Sequence, residues 1–325
     1  MNVLVTGASG FLGSHIAERL SARGDRVRVL LRKTSKRKHL ENLPGVEFFE
    51  GDVEQVDRVR EAVDGMDAVI HSAGLVKARS KDEFFAVNVG GTSNLVHAAR
   101  TARVKRFAYV SSLEACGPSP DGTPVPVDQE NPFTTYGRSK LSAEKVVLSA
   151  KDAMGVTILR PAGIYGPRDQ ELFAMFQSIR RGFLPLVAGG SAKGCWVYGP
   201  DCAEACIRAV VADVPSGGTY FVDDGCGALD QKQLLLDTEQ ALGKHAFLRA
   251  SLPAPILMTI ARGLEVVGRL SNKPVMLTRE KAQMLLMHWV CSSEATRRDL
   301  GWEPKVPWQD GIALTAKWYL DNGWL

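Results

Sequence analysis

Tyr136 and Lys140 stand four residues apart in Tyr136-Gly137-Arg138-Ser139-Lys140, a spacing that puts both on one face of a helix. A phenol with an unperturbed pKa of roughly 10 exchanges protons poorly at neutral pH, but a positive charge beside it stabilises the phenolate and makes it a usable acid/base. Asn131-Pro132 precedes the pair and Thr134 or Thr135 offers a cap, so Tyr136 falls at the start of its helix. A lone Tyr-x-x-x-Lys is common by chance and gains meaning only with a group that holds the reacting oxygen. Phe107-Ala108-Tyr109-Val110-Ser111-Ser112 supplies one, a strand ending in two hydroxyls at the carboxyl edge of a sheet, where open α/β sheets bind ligands. Neighbouring strand residues point to opposite faces, so one serine reaches the substrate oxygen. The reading takes Ser112 as catalytic and leaves Ser111 as a structural or cofactor contact.

A second pattern lies at the N-terminus. Thr6-Gly7-Ala8-Ser9-Gly10-Phe11-Leu12-Gly13 follows a strand at once and opens a helix. One glycine is needed to turn sharply, one to let the backbone approach a pyrophosphate and one to let helix and strand pack closely. N–H groups at the helix start, aided by its dipole, then bind phosphate. The loop Gly7, Ser9, Gly10, Phe11, Leu12 and Gly13 is therefore read as a dinucleotide cradle, although its spacing is G-x-x-G-x-x-G and not G-x-G-x-x-G. At the end of the second strand an Asp or Glu would hold a ribose 2′-hydroxyl, whereas a 2′-phosphate calls for cations. Here Arg32-Lys33-Thr34-Ser35-Lys36-Arg37-Lys38 has no carboxylate, so NADP is expected over NAD, with Arg32 on the phosphate and Lys36 in support. In Gly51-Asp52-Val53, Asp52 is expected at the adenine amino group or as a helix cap.

These residues need a scaffold. Short apolar runs at Asn2–Thr6, Arg26–Leu31, Val46–Glu50, Ala68–Ser72, Arg106–Ser111 and Val156–Leu159 alternate with helical patterns near Phe11–Ala22, Val56–Val63, Phe84–Ala102 and Thr135–Ala153. The alternation predicts an α/β fold with a doubly wound parallel (Rossmann) sheet. Residues 1–160 would bind the cofactor and carry the triad. Residues 161–325, irregular and rich in Gly and Pro, would form a smaller, mostly helical substrate lobe with some segments returning to the sheet. Pro253–Leu270 places Ile256, Leu257, Ile260, Leu264 and Val267 on one face, read first as a packed helix and second as one lying on a membrane surface. Met284, Leu285, Leu286 and Met287 offer adaptable apolar surface or core, and Trp302, Trp308, Trp318 and Trp324 read as packing around the C-terminal helix.

Composition narrows the classes. The chain has 325 residues, 40 Lys+Arg against 36 Asp+Glu and a formal charge of +4, too little concentrated charge for a nucleic-acid binder. The six cysteines include no C-x-x-C and no zinc spacing, so no metal is expected and the thiols read as reduced and mostly buried. There is no signal-peptide pattern before the first strand and no apolar run near the roughly 18 residues of a membrane span, so a cytoplasmic protein is expected.

Taken in order, the motifs resemble the extended short-chain dehydrogenase/reductase superfamily, also called the NAD-dependent epimerase/dehydratase family. The resemblance rests on residues 6–13, Gly51-Asp52-Val53, His71-Ser72-Ala73-Gly74, Asn88-Val89-Gly90-Gly91-Thr92, Ser111-Ser112, Tyr136-x-x-x-Lys140 and Arg160-Pro161-Ala162-Gly163-Ile164-Tyr165-Gly166-Pro167-Arg168, and it covers Met1 to about Asp213. It implies Gly7, Gly10 and Gly13 at the pyrophosphate, with Val53, Ala73, Gly74 and Pro161 along the cofactor. It implies Ser112 polarising the reacting oxygen, Tyr136 as acid/base and Lys140 as anchor of the nicotinamide ribose. Asn88 reads as holding sheet and helix together. Sugar-nucleotide members carry an Arg where this chain has Gly194, while Leu252-Pro253, Pro274–Thr278 and Asp299-Leu300-Gly301-Trp302-Glu303-Pro304 are similar to the 3β-hydroxysteroid dehydrogenase and dihydroflavonol reductase branches. The expected activity is hydride transfer between NADP(H) and a secondary alcohol or ketone of a small hydrophobic substrate. An NAD-dependent sugar-nucleotide epimerase or dehydratase is the alternative, and a non-catalytic NADP sensor a lesser one. The resemblance also implies a homodimer paired through sheet-flanking helices.

Overall fold

Val3, Leu4 and Val5 are all fully buried, and a strand apolar on both faces belongs in the middle of a sheet covered on both sides. That is its position in the computed structural model, in which residues 1–271, 275 and 277–325 are described. Strands β1 (Asn2–Thr6), β2 (Arg26–Leu31), β3 (Val46–Glu50), β4 (Ala68–His71), β5 (Arg106–Val110), β6 (Gly155–Pro161) and β7 (Gly218–Val222) form one seven-stranded sheet in the order β7-β6-β5-β4-β1-β2-β3. Every neighbouring pair is parallel. The strand order reverses at β1, which pairs with β2 on one side and β4 on the other, and the crevice beyond those carboxyl ends is where such sheets bind ligands.

Side-chain alternation divides the core into two layers. Val3 and Val5 pack with helices Phe11–Ala22 and Gly199–Val211, while Leu4 packs with Val56–Val63, Thr92–Thr101 and Thr135–Leu148. The expected helix Phe84–Ala102 is three pieces: Lys81–Phe85, a π-helical stretch Ala86–Gly91 and Thr92–Thr101. Wide π turns accommodate an extra residue, and this one keeps buried Asn88 on the sheet side. The helix expected to reach Ala153 stops at Leu148, because 149–154 turn back to start β6. The last strand, β7, comes from beyond Pro161 and completes the sheet edge beside β6.

The second lobe packs helices Phe173–Arg180, Gln231–Ala241 and Trp308–Asp321 around Tyr165, Phe176, Trp308 and Tyr319. Trp302 and Trp308 are fully buried and hydrogen-bonded through Nε1, to the Asp201 carbonyl at 3.0 Å and to Asp237 at 2.7 Å. Trp318 and Trp324 pack against the same cluster. All six cysteines are free, and only Cys226 is exposed. The fold brings Cys195, Cys291 and Asp223 within 4.8 Å of one another, a grouping that no sequence spacing announces. A hydrogen bond to Cys195, together with burial, pushes the Cys291 thiol up, so it stays protonated at neutral pH.

Helix Ala254–Ser271 corrects the packed-helix expectation. Leu257 and Ala261 face the lobe, while Ile256, Ile260, Leu264 and Val267 face outward. Leu257 therefore does not share their face, and Glu265 turns inward to Arg279. Within the motif Pro274–Thr278, Pro274 and Met276 lie outside the described residues. No described helix is long and apolar enough to cross a membrane.

Glycine substitutions separate packing from flexibility. A Cβ on Gly13 would overlap the Gly7 carbonyl, whereas one on Gly263, mid-helix, meets nothing within 4 Å. Gly13→Ala should destabilise by roughly 1–3 kcal/mol and Gly263→Ala should stabilise by roughly 0.5–1 kcal/mol. Thermal melts of both variants, read against wild type, check the contrast.

Candidate active site

The glycine loop lies at the point where the strand order reverses. Gly7 has φ +74°, and a Cβ there would sit 2.7 Å from the Ala73 nitrogen, so the loop after β1 rests directly on the turn after β4. The Gly10 N–H donates to the Gly7 carbonyl at 2.9 Å. Gly10 holds the cap position of helix Phe11–Ala22 without a side chain, and the first turn has no acidic residue, so the helix start is shaped for an anion. Ser9 and Gly10 lie at the surface, while Leu12 and Gly13 are buried beneath. The Phe11 ring packs edge-on to His15 at 5.7 Å and against Gly199. A cradle in which Cβ atoms at Gly7 and Gly13 would collide with backbone fits a pyrophosphate lying along the chain.

At the far end of the crevice the Arg32 side chain is mostly exposed, with Nε 4.0 Å from Asp52 Oδ2. Asp52 Oδ1 accepts from the Glu54 N–H at 3.2 Å. Asp52 is not the helix cap, since Gln55 holds that position for Val56–Val63. Val53 is buried under Gly91, where a Cβ would come within 2.6 Å of its side chain. Lys36 is exposed and makes no ion pair among the described residues. Arg32 and Asp52 are thus brought together from two strands, and Lys36 is not drawn into that contact.

The acid/base candidates meet on the other side of β4. Thr134, not Thr135, caps helix Thr135–Leu148, accepting from the Gly137 N–H at 2.8 Å. Lys140 is buried, donates from Nζ to the Val110 carbonyl at 2.6 Å and lies 4.3 Å from the Tyr109 ring centroid. Burial pulls it down to about 7, with Glu144 opposing. Tyr136 is pushed well up by burial and then by the Glu114 charge, while a hydrogen bond with Ser112 opposes both. The Ser112 hydroxyl also accepts from the Glu114 N–H at 3.1 Å. Ser111 turns the other way and donates to buried Glu144, which Arg160 grips at 2.9 and 2.7 Å. Ser112 and Tyr136 therefore meet through a hydrogen bond, Lys140 stands one helical turn along from Tyr136, and Ser111 belongs to the packing beneath. Gly74 lies beside Lys140, because a Cβ there would sit 3.8 Å from Lys140 Nζ. Pro161 is buried at the end of β6.

Three further residues matter that sequence reasoning did not single out. His71 ends β4 fully enclosed, with Nδ1 2.7 Å from Thr6 Oγ1 and Nε2 2.9 Å from Thr92 Oγ1. Thr92 spends its hydroxyl proton on the Asn88 carbonyl at 2.6 Å, so Nε2 is the donor and Nδ1 accepts from Thr6, which in turn accepts from Ala73 N–H at 3.2 Å. Burial, reinforced by Lys140, holds His71 down at about 3, so it stays neutral. Glu114 accepts from the Thr134 hydroxyl at 2.6 Å, bracing the cap, and burial raises its carboxyl. Glu280 comes from the helix Arg279–Met284 and accepts from Thr135 N at 2.9 Å, Thr135 Oγ1 at 2.8 Å and Arg138 at 3.1 Å. His71 was visible in the motif 71–74, but nothing local marks Glu280. Asn88 ties Leu75 to Ser139, accepting at 2.7 Å and donating at 3.1 and 2.9 Å.

The family model described as NAD dependent epimerase/dehydratase family matches residues 3–222. The chain is 30% identical to a 3 beta-hydroxysteroid dehydrogenase/Delta 5-->4-isomerase of Mycobacterium tuberculosis, over 98% of this chain and 90% of that protein. It is 32% identical to a 2-alkyl-3-oxoalkanoate reductase of Stenotrophomonas maltophilia, over 96% and 97%. Among solved structures, the UDP-glucose 4-epimerase of Thermus thermophilus in complex with NAD matches with TM-score 0.79 and 26% identity, over 98% of this chain and 99% of that one.

Lys140 gives the site a pH signature. Its pKa is lower folded, at about 7, than the roughly 10 of an unfolded lysine, so between those values the unfolded chain binds the extra proton and stability rises with pH. Relative to Lys140→Met, the wild type should gain on the order of 1 kcal/mol per pH unit from pH 7 to 9. Urea melts of both proteins across that range check the sign.

Proposed function

The chain belongs to the NAD dependent epimerase/dehydratase family, and on that premise we propose that it moves a hydride between NADP(H) and a secondary alcohol or ketone of a small hydrophobic substrate. The observation that carries the reading is the hydrogen bond between Ser112 and Tyr136, with Lys140 one helical turn along the same helix and beside Gly74. A bound nicotinamide supplies the hydride donor or acceptor. The chain's own residues handle the proton. Ser112 holds the reacting oxygen, and Tyr136 gives its phenolic proton to that oxygen in reduction and takes it back in oxidation. With Tyr136 pushed up, its proton is in place at neutral pH. Lys140, poised near neutrality one helical turn from Tyr136, supplies the charge that eases the phenol's proton away.

The hydrophobic substrate is supported by the steroid and oxoalkanoate chemistry in the relatives' names and by the partly buried apolar side chains of Met284, Leu286 and Met287. The sugar-nucleotide alternative draws on the epimerase likeness. Against it, Gly194 offers no cation for a diphosphate, and Lys193 beside it is exposed with its stem against Gly122. Such an epimerase would be purified with NAD bound and would consume none. NADP preference draws on exposed Arg32 and the carboxylate-free end of β2, while Asp52 and the NAD of the solved relative pull the other way. A homodimer and a cytoplasmic location complete the reading.

Tyr136→Phe should lower turnover by at least about 100-fold while leaving nucleotide affinity within about twofold, as fluorescence titration would report; near-normal turnover would sink the assignment. Arg32→Ala should weaken NADP by roughly tenfold and leave NAD nearly unchanged. Tighter binding of NAD than NADP by the wild type overturns the preference.

A further inference from the structure

The helix Ala254–Ser271 presents Ile256, Ile260, Leu264, Val266, Val267 and Leu270 to solvent, with Leu270 84% exposed. Single exposed leucines need no explanation, but these form a continuous line about 21 Å long on one helix. The same lobe exposes Phe247, at 85%, and Leu248, which open the segment leading through Pro253 into this helix. We propose that this face seats on the surface of an anionic lipid bilayer.

Charge selects that occupant. From residue 242 to 271 the sequence carries Lys244, Arg249, Arg262 and Arg269 against Glu265 as the sole acid, with Arg249 itself paired to Glu239 at 2.8 Å. Glu265 accepts from Arg279 N and Nε at 2.7 Å each. Arg180 and Arg181 stand beside Gly182, against which the Phe247 ring packs. With Lys244 and Arg262 they are exposed and form no ion pair among the described residues. Apolar residues flanked by uncompensated cations match an interface in which acyl chains lie beneath anionic headgroups. A second copy of this chain fits poorly, since pairing the faces would set cation against cation.

The placement also joins the surface to the site. The outward helix is tied by Glu265 to Arg279, and the next residue, Glu280, holds Thr135 beside Tyr136. A lipid-like substrate leaving the bilayer would enter one short helix away from the catalytic one. This use rests on the proposed hydrophobic substrate, but the docking itself is measured without any substrate.

The test is co-sedimentation of the full chain with phosphatidylcholine vesicles and with mixed phosphatidylcholine/phosphatidylglycerol vesicles. Wild type should bind the mixed vesicles far better, and added salt should weaken it. Val267→Asp with Leu270→Asp should cut binding at least about tenfold, and Arg262→Gln roughly fivefold, both with nucleotide affinity unchanged as the sign of an intact fold. Failure of wild type to bind the mixed vesicles, or unchanged binding by the double Asp variant, overturns the proposal. So does light scattering showing a wild-type oligomer that the double Asp variant dissociates without any vesicle binding, which would assign the face to a second copy.

Discussion

Arg160 and Glu144, buried together, fix the position of the helix that carries Tyr136 and Lys140. Glu144 lies one helical turn beyond Lys140 and accepts from two Arg160 nitrogens, Nε and Nη2, while Ser111 at the end of β5 donates to the same carboxylate. Arg160 also reaches the Val127 carbonyl at 2.5 Å. Two strand ends, one helix and one loop are thereby locked by groups that cannot be separated cheaply, since losing one partner of a buried pair costs about 3–5 kcal/mol. With the helix unable to slide, Tyr136 and Ser112 keep their register. The same carboxylate favours the charged form of Lys140 against the pull of burial.

On the other side of β4 the constraint is made of neutral hydrogen bonds. The run from Ala73 N–H through Thr6, His71 and Thr92 to the Asn88 carbonyl has each proton committed in one direction. A neutral imidazole suits a place next to Lys140, where a second cation would drive the ammonium's pKa lower still. Asn88 continues the connection to Leu75 and Ser139. The glycine loop, the turn after β4 and the helix that carries Tyr136 thus behave as one assembled edge, with the crevice between them.

Much of this was legible because it is periodic or local. Alternation of apolar runs and amphipathic stretches placed six strands with ends off by at most a residue or two, and strand parity required Ser111 and Ser112 to part. What escaped depends on distant partners. Helix periodicity groups Ile256 with Ile260, Leu264 and Val267, but it cannot say whether that line faces core or solvent, and here Leu257 and Ala261 take the inner side. The π turn at 86–91 answers to the packing of Asn88 and Gly91, which no propensity encodes. Asp52 could be placed at a strand end, but not its approach to Arg32, because the two stand on different strands.

Glu280 belongs to the C-terminal part of the chain, yet it completes the hydrogen bonding at the first turn of the helix that carries Tyr136. On the proposed function, substrate choice and proton transfer are therefore not separable modules. A chimera that imported the lobe of a relative would import a new anchor for the catalytic helix as well. Exchanges meant to alter selectivity would carry a change in rate unless the acid and its contacts to Thr135 and Arg138 travelled with the graft.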